Sequence, residues 1–97
     1  MRTAVLVKSP EEMFAVGLEY ISPDLDEGEE LVSCEVTITP DEAAGLKKQG
    51  NLVIEPTIAS QMIYGGEVDR EYYVHFKTTT SVNHIYQDSI FVKVRAL

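Results

Sequence analysis

The sequence has a single cysteine, Cys34, no tryptophan, and not one basic residue between Lys8 and Lys47. Each shortage closes off a class of protein. One thiol forms no internal disulfide and no thiolate cluster for zinc. Without tryptophan, and with only three phenylalanines, a core must be mainly aliphatic with tyrosines at its margins. The opening MRTAVLVKSP holds four apolar residues in a row before Lys8 and Pro10. That run is too short for the apolar region of a signal peptide or for a membrane span, so an intracellular product with no membrane partner is expected.

The shortage of cations has the widest reach. Eleven acids lie between Lys8 and Lys47, residues 47–97 carry six basic and five acidic side chains, and the chain stands at −8. Cations so scattered cannot neutralise a phosphate backbone, and no nucleic-acid partner is expected. The excess charge either keeps a small domain soluble or forms an acidic face for a basic partner.

What the chain does have is alternation. Ninety-seven residues make one domain, residues 1–97, with room for two packed layers around one core. Tyr72, Val74 and Phe76 alternate with Tyr73, His75 and Lys77, and Ile90, Val92 and Val94 alternate with Phe91, Lys93 and Arg95. Both are half-buried strands, and a turn near Asn83 joins them into a long hairpin that sets His75 opposite Phe91 and Tyr73 opposite Lys93. Val32, Cys34, Val36 and Ile38 mark another strand, ended by Pro40, with a bulge or strand start at Leu31. Met13 to Ile21, Leu52 to Glu55 and Ile58 to Tyr64 read as further strands. Residues 1–9 offer an edge strand, or an arm for a neighbouring subunit. Thr39-Pro40-Asp41-Glu42 has the form of a capping box, which predicts a short helix over residues 40–49, stopped by Gly50 and weakened by Gly45. The fold class is all-β: an antiparallel sandwich of about seven strands.

The candidate sites are few. Around Gly28, Asp24, Asp26, Glu27, Glu29 and Glu30 suggest a calcium loop, but Gly28 falls where such a loop needs an oxygen ligand and Glu29 where it needs glycine. A solvated turn leading into a strand fits better. His75 and His84 stand ~30 Å apart along one extended chain, with no cysteine or carboxylate at metal-ligand spacing, so neither a metal nor a cofactor is expected. A Ser-His-Asp triad assembles in space and leaves no fixed spacing, yet no G-x-S-x-G elbow is present, and Cys34 lies in a core row. The chain reads as no enzyme, with no catalytic residues. Tyr73, His75 and Phe91 occupy the outward row of the hairpin, and aromatic residues on such a face are enriched at interfaces.

From Tyr64 to Val94 the motifs Gly65-Gly66, Tyr72-Tyr73-Val74, Thr79-Thr80-Ser81 and Ile90-Phe91-Val92-Lys93-Val94 follow one another as in a family of small phage virion proteins, the fiber–tail adaptors. Lys8-Ser9-Pro10 with Glu12 resembles that family's Lys-x-Pro-x-Glu opening. Asp26-Glu27-Gly28-Glu29-Glu30-Leu31 resembles its Asp-x-Gly-Glu-x-Ile lead into a strand. The sequence departs from the pattern at Val36, where members often carry tryptophan, over residues 40–51, which read as an insertion, and at Val82-Asn83-His84. The resemblance implies an immunoglobulin-like β-sandwich acting as a non-enzymatic virion part. It would be assembled in the host bacterial cytoplasm, without cofactors, as a homo-oligomer among other tail or fiber proteins. It also puts Tyr72 at the place of a tyrosine corner, its ring inward and its hydroxyl on backbone between Gly66 and Asp69. The alternatives are a head-decoration or head–tail joining protein, and a stand-alone immunoglobulin-like module that recognises a glycan or host surface.

Overall fold

Along Glu71–Thr80 the side chains of Tyr72, Val74, Phe76, Thr78 and Thr80 are buried, while Tyr73 and Lys77 between them are exposed. The same alternation along the other extended segments gives each a face that leaves water, at about 1.5–3 kcal/mol for each large apolar side chain. A computed structural model describes residues 2–20, 25–41 and 45–96, the side chains of Arg2 and Thr3 excepted. The described residues form seven strands and no helix. These are β1 (Arg2–Lys8), β2 (Phe14–Glu19), β3 (Leu31–Thr39), β4 (Leu46–Ile54), β5 (Ile58–Gly65), β6 (Glu71–Thr80) and β7 (Ile85–Val94).

The strands make two sheets, β1-β7-β6-β3 and β2-β5-β4. Val16, Ala59 and Ile63 of the smaller sheet and Val74, Phe76 and Val92 of the larger belong to one aliphatic and aromatic core. Every pairing is antiparallel except β1 with β7, which is parallel from Arg2↔Asp88 to Lys8↔Val94. This layout is compatible with an immunoglobulin-like sandwich in which the first strand has crossed to the edge of the sheet holding the last. Residues 2–8 lie at the edge of the larger sheet, paired with β7.

Three expectations need correction or refinement. The helix over residues 40–49 is not there from Leu46 onward, and its middle, residues 42–44, lies outside the described residues. Leu46, Lys47 and Lys48 pair with Gly65, Tyr64 and Ile63, and Leu46 is buried. Non-local pairing overrides a capping box that has little helix behind it. Gly50, expected to stop a helix, instead takes a left-handed φ of 72° within β4, where the ladder to β5 breaks register between Gln49 and Val53. In the hairpin, Tyr73 lies opposite Phe91 and His75 opposite Ser89, two residues from the expected pairing. The slip is even, so each side chain keeps its face. The β3 ladder breaks register between Leu31 and Ser33.

Candidate functional site

The outer face of the larger sheet brings the three outward hairpin residues together. Pairing of β6 with β7 sets the Tyr73 and Phe91 rings in a stack, centroids 4.9 Å apart, and Tyr73 also stacks on His75 at 5.8 Å. The Lys93 ammonium lies 5.7 Å from the Phe91 centroid, a cation–π distance. The pairing of β1 with β7 places Val5 beside Phe91 and Val7 beside Lys93. Tyr73 is 42% exposed, Val5 58% and Val7 54%, so the row Val5–Phe91–Tyr73 presents contiguous apolar surface across three strands. Sequence reasoning reached the hairpin part of this row. Val5 and Val7 were out of its reach, because β1 joins the sheet through a pairing more than eighty residues distant in the chain.

His75 lies between two hydroxyls on this face. Its Nδ1 and the Ser89 hydroxyl are 2.8 Å apart, and its Nε2 and the Thr39 hydroxyl 2.9 Å. Both ring nitrogens thus meet hydroxyls, and where a triad has an acid to orient the imidazole this one has Thr39. The result is a three-strand tie across β3, β6 and β7. Cys34 is half-buried beside the Thr78 hydroxyl at 3.3 Å. Burial pushes its thiol pKa up, away from the thiolate a nucleophile needs.

Tyr72 is fully buried, and its hydroxyl oxygen accepts a bond from the Glu67 N–H at 3.1 Å. Its ring backs onto Gly66, which has a φ of 96°. A Cβ at Gly66 would come within 2.7 Å of Val94 Cγ2, so only glycine fits there.

Sequence reasoning missed three buried polar constellations. The Tyr20 hydroxyl is within bonding distance of Asp88 Oδ2, 2.9 Å, and Thr78 Oγ1, 3.0 Å, and its ring stacks on Tyr86. Lys8 is fully buried, donating from Nζ to the carbonyls of Ser9 and Gly65 at 2.6 Å each. Burial lowers its pKa, and the Glu12 charge partly opposes that shift. Glu29 is buried and accepts from the Thr80 hydroxyl, from the Asp26 N–H at 2.7 Å and from His84 Nδ1 at 2.9 Å. These bonds, the Thr80 hydroxyl's foremost, hold its carboxyl pKa below the ordinary value.

Ligand atoms of Asp26, Glu29 and His84 lie within 4.8 Å of one another. The Glu29 oxygens a cation would use already serve the protein. No hydrogen-bonding signal in the sequence linked Glu29 to residues more than fifty positions away. Nearby, Glu19, Asp26, Glu27, Glu30 and Glu55 are exposed at one end of the sandwich. The described parts of its loops, 20–30, 55–57 and 81–84, contain no lysine or arginine.

The residues that carried the resemblance now have a common part in the structure. Lys8 ties β1 to the end of β5, and Glu12 closes its own loop by accepting from the Ser9 N–H at 2.8 Å. Glu29 fastens the β2–β3 loop to the end of β6, and Gly66 makes room for Tyr72. All are fasteners of the sandwich. A search of curated proteins returns no match. A family profile does match over residues 8–93, nearly the whole span from Lys8 to the end of β7, and the chain belongs to the podophage GP4 fiber–tail adaptor family, gp77.

Proposed function

We propose that this chain is a non-enzymatic adaptor of the phage virion. It docks tail or fiber components through the outer face of the β1-β7-β6-β3 sheet, and its copies work together as an oligomer. Membership of the fiber–tail adaptor family makes it a structural part of the phage tail that meets other virion proteins. The observation that carries the finer reading is the stacked row of Tyr73, His75 and Phe91 extended by Val5. Aromatic rings stacked on one another across a sheet bind at small entropic cost and bury much area per residue. The ties of His75 to Thr39 and Ser89 keep that face rigid before a partner arrives, which lowers the cost of docking.

The absence of catalysis is supported by how the polar groups are spent. Among the described residues no buried side-chain nitrogen or oxygen lacks a hydrogen-bond partner. An active site commonly leaves such groups aimed at a substrate. Here Tyr20, Glu29 and Lys8 are turned on the protein itself.

The test is assembly of particles with Tyr73→Ser combined with Phe91→Ser. Circular dichroism and melting are expected to show a folded chain, while the variant is lost from purified particles or the particles lack the parts it joins. Normal incorporation and normal particles would move docking to another face.

A further inference from the structure

The larger sheet ends at β1, and that edge differs from the other three. The β2 edge is six residues long with Gly17 in its interior. The β4 edge is broken at Gly50, where the ladder shifts register. The β3 edge is bulged next to Leu31 and covered at Val36, whose carbonyl accepts from Lys48 Nζ at 2.9 Å. These are the devices by which sheets avoid joining one another. Between Arg2 and Lys8, β1 has none of them. It is a straight seven-residue strand whose interior, Thr3 to Val7, holds no charge, proline or glycine, with a row of backbone donors and acceptors unpaired on its free side.

We infer that the free edge of β1 pairs antiparallel with β1 of a second copy of this chain, joining two larger sheets into one of eight strands about a two-fold axis at Val5. Charge argues for a second copy as the occupant. A chain at −8 repels itself wherever carboxylates face one another. On β1 and β7 there is no exposed carboxylate, because the one acid, Asp88, is buried. Exposed acids stand on β2, β3 and β6 (Glu19, Glu35 and Glu71) and directly after β4 at Glu55. A basic partner would find nothing to attract it at β1 and would be drawn to the acidic end instead. The strand is also self-complementary. With Val5 on the axis, it faces its own counterpart, and Leu6 faces Ala4 of the partner subunit, so apolar meets apolar on both sides of the sheet. Such a contact is isologous and closes at two copies. The Val5–Phe91–Tyr73 rows of the two copies then meet across the axis on one outer face. The pairing rests on β1 alone and stands or falls separately from docking on that face.

Sedimentation equilibrium over a wide dilution series tests it, with the amides of β1 followed by hydrogen exchange in the same samples. The expected result is a reversible dimer whose β1 amides gain protection as concentration rises. Val5 is exposed, so Val5→Lys is expected to melt like the parent while setting two ammonium groups against each other on the axis, weakening self-association by about tenfold or more. Val5→Ile is expected to retain the dimer. A monomer at every concentration overturns the proposal, as does a trimer, a dimer untouched by Val5→Lys, or β1 protection that appears only when a different tail protein is added.

Discussion

Replacing Tyr72 by phenylalanine removes one buried hydroxyl and the bond it accepts from the Glu67 N–H. The expected loss is about 1 kcal/mol, read from chemical denaturation; an unchanged midpoint would show that the hydroxyl adds nothing to the β5–β6 turn. Glu29 makes a different prediction, because its contribution depends on pH. Its folded pKa lies below its ordinary value, so its bonds to Thr80, Asp26 and His84 stabilise the fold at pH above the unfolded carboxylate pKa. That contribution is lost as pH falls through the lower, folded value. Melting temperature should therefore drop on acidification below about pH 4, and Glu29→Gln should reduce that dependence while lowering stability near neutrality. At this scale the sequence was legible only where a residue's neighbours are local. Tyr72 has its backbone partner, the Glu67 N–H, only five positions away. The partners of Lys8, Tyr20 and Glu29 lie across the sandwich, and a lysine or glutamate in a polar stretch reads as solvated.

Among the elements, the β6–β7 hairpin was the most legible, since period-two alternation marks both strands and their faces. Its register was less so. The turn closes through the Asn83 N–H to the Thr80 carbonyl at 3.0 Å and the Thr80 N–H to the His84 carbonyl at 2.9 Å, and moving its centre by one residue moves every pair by two. Asn83 sits at a φ of 66°, a conformation asparagine and glycine tolerate and alanine does not. Asn83→Ala is expected to cost about 1 kcal/mol and Asn83→Gly close to nothing, as equilibrium unfolding of the two variants would reveal. While Leu52 onward read as a strand, the first half of β4 failed to show itself for the opposite reason: local propensity pointed to a helix, and only pairing with β5 makes residues 46–50 extended. Tertiary partners decide such segments, and they are not adjacent in sequence.

At the scale of the whole molecule, the charge asymmetry of the sequence becomes partly spatial. Glu19, Asp26, Glu27, Glu30 and Glu55 share one end of the sandwich whose described loops hold no lysine or arginine. Like charges gathered this way repel, and screening relieves them, so added sodium chloride is expected to raise the melting temperature; a fall would mean that the paired charges elsewhere, such as Arg95 with Glu71 at 3.8 Å, outweigh the acidic end. The parallel ladder between the first and last strands has a mechanical side. Tension that enters through Arg2 and leaves through Val94 pulls the two strands in opposite directions along their common axis, from Arg2↔Asp88 to Lys8↔Val94. The whole ladder is then loaded in shear at once, where an antiparallel pair pulled from its open end would unzip bond by bond. A tail component built this way resists force through its termini until the entire seam gives.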